Sequence, residues 1–307
     1  MASENLMNMH TLVRLDRSEL RLVIADLSTD HAHFETDERR ALPGNVKQKL
    51  LRPSDIDELY RQADELIEIA RLSSIPAWKI IAYATTSYKT YLNSRMVLAR
   101  AEQVLGLRFH QVSPSQEALH LWYGATHDLS IPTGSTLVLY LEPAQTQLVQ
   151  CSNGELQYSI SLPTSVHSLA EYLSTETAYS PSALNNCRAQ IKRTLARVQL
   201  PERPKRLVVF GSGVNGLAGL IMSQTTPQVG AAHGIRVNRA TLRRWNDRLL
   251  STATADKAEI RLSAALPRQP IIAGNLLIEA CCTLAYKDSV QLSAGDEMLG
   301  RLMLRAH

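Results

Sequence analysis

The stretch LVLYLEPAQTQLV, residues 137–149, places two apolar runs on either side of a turn that contains no glycine. The run LVLYL is typical of a strand in the core of a sheet, and Leu148 and Val149 begin a second run. Between them lie a carboxylate, a proline and two glutamines. We therefore expect two strands joined by an acidic turn, within a fold that contains buried sheets.

Strand-like and helix-like patterns alternate along both halves of the chain. The apolar run 20–27 predicts a strand, and apolar residues at helical spacing predict a helix from Ser54, with Asp57 helping to cap it. Similar patterns follow at 78–85, 94–106, 114–126, 157–163, 206–213 and 289–293. This alternation is typical of α/β folds with mixed sheets, and the similar order of the halves indicates a duplicated fold with a cleft between them.

The length of 307 residues favours two domains, because single cores stop growing near ~250 residues. The segment DLSIPTGS, residues 128–135, is the best linker, since Pro132 and Gly134 interrupt the periodic regions. We therefore predict an N-terminal domain at 1–130 and a C-terminal domain at 131–307.

Composition narrows the class of protein. Hydrophobic residues make up 45% and charged residues 20%, and the net charge of +4 is too small to indicate specific nucleic-acid binding. The N-terminus has no apolar signal region, and the most apolar segment, 271–286, is too short for a membrane span. The four cysteines show no CxxC spacing. We expect a cytoplasmic protein with buried free thiols and no membrane contact.

A glycine turn at 208–220, VVFGSGVNGLAGL, is the clearest phosphate-type feature. A buried strand runs into Gly211, Ser212 and Gly213 and then into a predicted helix, an arrangement that exposes backbone N–H groups to anions. Gly216 completes a GxGxxG pattern, but no acidic residue follows at the spacing of a dinucleotide site. Both an anion-binding loop and a tight strand–helix turn fit this pattern.

Two further features allow two interpretations each. Glu117 stands near a predicted helix N-terminus, where it is either a general base or a surface residue favoured by the helix dipole. The basic helices at 192–197 and 239–248 are either solvated faces or a track for a polyanion.

Taken in order, these segments resemble the Ppx/GppA family of exopolyphosphatases and guanosine pentaphosphate phosphohydrolases. The stretch from ATTSYKTYLN to SPSQEALHLWYGA is similar to the family's Ala-Thr-Ser-Ala-x-Arg-x-Ala-x-Asn and Glu-Glu-Ala-Arg motifs. On this match Thr85 and Asn93 are kept, and Lys89 replaces a phosphate-facing arginine. Glu117 falls on the glutamate proposed as the base for the attacking water.

The resemblance implies the duplicated actin-like fold (ASKHA, ribonuclease H-like), with two domains whose mixed, five-stranded-type sheets flank a cleft. IADLSTDHAHF resembles the family's first phosphate turn, so Asp26 would help to hold Mg²⁺. VFGSGVNGLA resembles the second glycine turn, so Gly211, Ser212 and Gly213 would contact phosphate. Polyphosphate or a guanosine alarmone is the implied ligand, and a homodimer is the implied assembly.

The stretch 137–149 departs from the family's Asp-Ile-Gly-Gly-Gly-Ser-Thr-Glu-Leu. Tyr140 takes the place of a metal-site aspartate, and Glu142, Pro143 and Ala144 replace the three glycines, while Thr146 remains as a phosphate ligand. A phosphate turn needs backbone N–H groups that no Cβ obstructs, and proline has no N–H.

Two hypotheses about function follow. The chain is either a catalytically impaired homologue that binds a regulatory ligand or a partner protein, or an active Mg²⁺-dependent phosphohydrolase on terminal phosphoanhydrides with Glu117 as base. Pro270, where the family has a second aspartate, favours the first hypothesis. A third function, ATP-dependent phosphorylation of the kind that sugar kinases perform, uses the same fold. It also needs the same phosphate turns, so their loss counts against it equally.

Overall fold

The computed structural model describes residues 9–27, 33–42, 48–131, 133–142, 145–173, 180–211, 214, 217–219, 221, 232–251 and 268–306. The chain divides into two compact units, Met1–Glu117 and Ala118–His307. This division falls within the helix at 114–126, whereas the sequence suggested a boundary at the linker near residue 130.

The first unit is built on a five-stranded mixed sheet. Its strands are β1 (Met9–Leu15), β2 (Glu19–Asp26), β3 (His33–Ala41), β4 (Ile80–Ala84) and β5 (Phe109–Gln111), in the order β3-β2-β1-β4-β5. Strand β2 is antiparallel to both of its neighbours, β1 and β3, whereas β1, β4 and β5 are parallel to one another. The strand predicted at 20–27 is therefore the second strand, and β1 and β3 went unpredicted.

Two helices accompany this sheet, α1 (Pro53–Leu72) and α2 (Ser94–Leu105), with 3₁₀ turns at Ala77–Lys79 and Tyr88–Thr90. Helix α3 (Pro114–Thr126) begins in the first unit and continues into the second. Helix α1 begins one residue before the predicted start, and its cap is Arg52 with Asp55 rather than Ser54 with Asp57. Asp55 accepts the Arg52 backbone N–H at 3.0 Å. The Arg52 guanidinium, with help from Gln48, lowers the pKa of the Asp55 carboxyl to about 2.

The second unit repeats the topology of the first. Its strands are β6 (Ser135–Leu141), β7 (Thr146–Ser152), β8 (Glu155–Leu162), β9 (Arg206–Phe210), β10 (Arg236–Asn238) and β11 (Ser289–Leu292). The order β10-β11-β9-β6-β7-β8 matches that of the first sheet, with β10 added at one edge. Strands β6, β9 and β11 are parallel, as β1, β4 and β5 are. The predicted duplication of a mixed-sheet fold is confirmed.

The helices of the second unit are α4 (Val166–Ala170), α5 (Pro181–Leu195), α6 (Arg239–Ser251), α7 (Arg268–Leu284) and α8 (Glu297–Ala306), with a 3₁₀ turn at Glu171–Leu173. The helix predicted after Gly213 lies largely outside the described residues. Cys151, Cys187, Cys281 and Cys282 are free and buried. None of the helices in the described ranges is both long and apolar enough to cross a bilayer.

Three glycines allow α8 and the turn before it to touch the backbone of α3. A Cβ on Gly300 would overlap the His120 carbonyl, and a Cβ on Gly295 or Gly124 would overlap backbone atoms across the same contact. His120 is fully buried here, with its Nε2 atom 3.1 Å from Arg301 Nη1. Burial, together with the Arg301 charge, lowers the pKa of the His120 imidazole to about 3.

Candidate functional site

The carboxyl ends of β1, β4 and β5 lie at one edge of the first sheet, the usual place for ligand sites in α/β folds. A turn at 16–18 follows β1 and is closed by a 2.8 Å hydrogen bond from Asp16 N–H to the Glu19 carbonyl. Thr85 and Ser87, which follow β4, each donate a hydroxyl to Asp16 Oδ2 at 3.0 Å. This edge therefore carries a connected polar cluster, which we call the first-unit cluster: Asp16, Thr85, Thr86, Ser87 and Glu117.

Glu117 lies in the first turn of α3 and is only 2% exposed. Its Oε2 atom accepts the Thr86 backbone N–H at 3.1 Å and also the Thr86 hydroxyl. Thr86 stands between the two hydroxyl residues that bond Asp16, so Glu117 belongs to the same edge. The interpretation of Glu117 as a surface residue is wrong, and its use as a base stays a prediction.

Two of the predicted phosphate ligands make firm contacts with the protein. The Lys89 ammonium donates to the Val112 carbonyl, just before α3. Asn93 donates its amide to the Leu51 carbonyl at 2.9 Å and accepts the Leu51 N–H at 3.1 Å. These contacts hold loops of the protein in place. Thr85 is fully buried, and its hydroxyl donates to Asp16.

Asp26 does not lie at this edge. It pairs with Met9 at the end of β2 that is farthest from the β1–β2 turn, so its assignment to the first phosphate turn is wrong. The turn at that position is Asp16-Arg17-Ser18, which sequence reasoning missed. The available signal was the sequence LDRSEL between two apolar runs. Arg17 occupies the turn and extends over the Tyr91 ring, with its guanidinium carbon 4.6 Å from the ring centre.

The equivalent turn of the second unit joins β6 to β7. Glu142 donates its N–H to the Gln145 carbonyl at 2.9 Å, so the predicted hairpin is present, while Pro143 and Ala144 lie outside the described residues. Thr146 is fully buried, and its hydroxyl has no hydrogen-bond partner among the residues that the structure describes.

Tyr140, near the end of β6, is 5% exposed and its ring centre lies 4.8 Å from that of Phe210. It belongs to an apolar cluster that includes Leu121 and Trp122 of α3. The position that would carry a metal-site aspartate is therefore filled by a packed aromatic ring.

Gly211 begins the second glycine turn directly after β9, with a φ of 104° that favours glycine. A Cβ at this position would overlap the Leu141 carbonyl and would lie 3.1 Å from Glu142 Oε1. The Glu142 carboxylate thus rests against the first glycine of the turn. Ser212 and Gly213, the other predicted phosphate contacts here, lie outside the described residues.

The model of the Ppx/GppA phosphatase family matches residues 38–296. The chain belongs to this family. Solved structures agree: an Aquifex aeolicus Ppx/GppA phosphatase superposes with a TM-score of 0.82 at 18% identity, covering 96% of this chain and 98% of that chain. A Cytophaga hutchinsonii exopolyphosphatase gives 0.74 at 14% identity, with 97% of each chain covered. No curated protein matches. The fold is the predicted duplicated actin-like α/β fold.

The resemblance to the Ppx/GppA family also implies Mg²⁺, and the side chains present do not suit it. Mg²⁺ prefers an octahedral set of oxygen ligands that includes carboxylates. Tyr140 and Pro270 stand where the resemblance places aspartates, and Asp26 lies at the other end of its strand. Within the described ranges, no three acidic, histidine or cysteine side chains are grouped closely enough to hold a metal ion.

Proposed function

We propose that this member of the Ppx/GppA phosphatase family is catalytically impaired and uses its scaffold to bind a regulatory ligand or a partner protein. The observation that carries this proposal is the Glu142 carboxylate, which rests against Gly211. A phosphoanhydride bound at this turn would meet the negative charge of Glu142, and the proline at position 143 has no N–H to donate to it.

The size of this repulsion decides its importance. Two unit charges ~4 Å apart repel by ~4 kcal/mol at an effective dielectric constant of about 20. Glu142 is partly exposed, so solvent reduces this figure, but a penalty of even ~1.4 kcal/mol weakens binding about tenfold. Phosphoryl transfer depends almost wholly on positioning and charge neutralisation, so the loss falls directly on catalysis.

Tyr140 supports the same proposal. A packed ring beside Phe210 supplies no carboxylate oxygen for a metal ion or for orienting water. Glu117, well held by Thr86, could still accept a proton from water, but without a metal ion the negative charge on the phosphate would not be neutralised.

The test is the release of phosphate from polyphosphate and from pppGpp in the presence of Mg²⁺. We expect release at the level of buffer alone, unchanged in Glu117→Ala. Release by the wild type that disappears in Glu117→Ala, while the variant still unfolds cooperatively, would overturn the proposal.

A second measurement isolates the turn. Replacing Glu142, Pro143 and Ala144 together by glycine should increase the affinity for a short polyphosphate about tenfold or more, measured by calorimetry. Glu155→Gly, at an exposed acidic position of the same unit, is the control and should leave the affinity unchanged.

The alternative, an active phosphohydrolase, is favoured by one observation: Glu117 is buried and oriented by two hydrogen bonds at a ligand-type edge. In that case Glu117 activates water, and the phosphate ligands are the residues that the family resemblance names: Lys89, Thr85, Asn93, Thr146 and the 211–213 turn. Polyphosphate or a guanosine alarmone is the proposed ligand on either function, and a cytoplasmic homodimer is the proposed form.

A further inference from the structure

Helices α5 and α7 of the second unit leave a groove of about 500 Å³ between them. Its floor is apolar and is formed by Ile191 and Leu195 from α5 and by Leu276, Ala280 and Leu284 from α7. Ile191 is 2% exposed and Leu276 is 4% exposed, so both helices already use these side chains to pack against the core. The groove is therefore a preformed part of the folded unit.

The rim of this groove is basic. Arg188 and Lys192 stand exposed along its α5 side, and Arg193 and Arg197 continue on the exposed surface of the same segment. The acidic residue of the opposite wall, Glu279, is already matched, because Arg243 Nε donates to its carboxylate at 2.5 Å. An occupant of the groove therefore meets apolar side chains below and positive charge at one side.

We propose that the groove between α5 and α7 is a docking site for an amphipathic helix of a partner protein, with acidic residues flanking its apolar stripe. A helix that lies across two packed helices places its apolar side chains in the channel between them. Acidic residues on the flank of this helix would pair with Arg188 and Lys192. Such charge pairs determine the orientation and the choice of partner more than they raise the affinity.

Two other occupants fit less well. A polyanion such as polyphosphate gains from the basic rim but leaves the apolar floor in contact with water. The acidic helix α1 of a second copy is a poor occupant, because its apolar residues, including Ile56, Leu59 and Ile67, are buried in its own unit. That helix has no apolar stripe left to insert.

The proposal does not depend on the impaired site proposed above. The groove lies on α5 and α7, whereas Glu117 and Glu142 lie on α3 and on the β6–β7 turn. A chain that hydrolyses phosphoanhydrides would still carry the groove, so the two tests fail separately.

The experiment uses the full chain and a fluorescein-labelled synthetic helix. The probe carries leucines at i, i+3, i+4 and i+7 with glutamates beside them, and a matched probe carries lysines instead of the glutamates. We expect the fluorescence anisotropy of the acidic probe to rise to a plateau as the protein concentration increases. The lysine probe should bind at least about tenfold more weakly.

Variants then locate the binding. Arg188→Glu combined with Lys192→Glu should weaken the acidic probe about tenfold, and Ala280→Trp, which fills the groove, should abolish saturation. Arg95→Glu combined with Arg100→Glu makes the same charge change at exposed positions of α2 in the first unit and should have no effect. Thermal unfolding of each variant confirms that it is folded.

Three results would overturn the proposal. The first is the absence of saturable binding of the acidic probe to the wild type. The second is equal binding in the groove variants and the wild type. The third is displacement of the probe by polyphosphate, or by dimerisation of the chain, with the same dependence on Arg188 and Ala280. That result would assign the groove to a polyanion or to a second copy.

Discussion

The β1–β2 turn and the β6–β7 turn hold the same position in two sheets of the same strand order, yet different chemistry surrounds them. Around the first turn, Asp16 accepts hydrogen bonds from hydroxyl groups, and Glu117 accepts hydrogen bonds from Thr86. Around the second, Tyr140 packs on Phe210 and Glu142 rests against Gly211. The comparison teaches that a duplicated topology preserves the position of a turn but not the side chains that surround it.

The largest effect should come from forcing family-like chemistry into the second unit. Tyr140→Asp removes a buried ring and leaves a carboxylate among apolar side chains, so we expect a loss of about 4 kcal/mol or more in the free energy of unfolding. Urea unfolding measures it, and Tyr140→Phe, the control, should stay within about 1.5 kcal/mol of the wild type. A stable Tyr140→Asp variant that binds Mg²⁺ would break the comparison.

The next effect concerns the first-unit cluster. Glu117→Ala leaves the partly buried N–H and hydroxyl of Thr86 without their charged acceptor, which should cost about 3 kcal/mol of unfolding free energy. Glu117→Gln keeps one acceptor oxygen and should lose clearly less. Both are measured by urea unfolding, and equal losses in the two variants would show that the acceptor is unimportant.

A smaller effect is expected at the turn itself. Asp16→Ala removes the acceptor shared by Thr85 and Ser87 and should cost about 2 kcal/mol. Asp57→Ala, at an exposed position of α1, is the control and should change stability by less than about 0.5 kcal/mol. If thermal unfolding gives the same result for both variants, the two hydrogen bonds to Asp16 contribute nothing to stability.

The smallest expected effects are changes in stability with pH, and the pH range of the change differs between the two units. The pKa of His120 is lowered to about 3 in the folded second unit against ~6.5 unfolded, so stability falls as the pH drops below about 6.5. The pKa of Asp55 is lowered to about 2 in the first unit against ~3.9 unfolded, so its contribution is lost only between about pH 4 and 2.

The tryptophans make this pH difference measurable. Trp122 and Trp245 belong to the second unit, and Trp78 belongs to the first, where it is 80% exposed. Denaturant unfolding followed by tryptophan emission should show stability declining from about pH 6.5 in the wild type. His120→Gln should flatten that decline, and an unchanged slope would contradict the assignment to His120.

Local patterns predicted much of the fold because they reflect local physics. The helix at Ser94–Leu105 ends at Gly106 with a φ of 65°, as the glycine suggested. Strand β3 escaped prediction because it is an edge strand rich in charge. Its Asp37 pairs with Arg21, a residue of the neighbouring strand that is only 3% exposed. An ion pair between neighbouring strands cannot be deduced from the alternation of apolar and polar residues along one strand.

The site was less predictable than the fold, because its decisive contacts join distant parts of the chain. The order of motifs identified Glu117, but not that Thr86 would orient it. Asn93 has the spacing of a phosphate ligand, yet Leu51, 42 residues away, takes both its donor and its acceptor. Residue type and spacing indicate what a side chain can bind, and packing decides what it does bind.

Gly124, Gly295 and Gly300 bear on how sequence variation in this family is interpreted. Each lies so close to the backbone of another segment of the chain that any side chain would collide with it, whatever the protein binds or hydrolyses. A mutational scan scored on folded protein alone should deplete every substitution at these positions. Their invariance among relatives would therefore record a helix contact, and counting them as phosphate-loop glycines would credit the protein with chemistry that they do not perform.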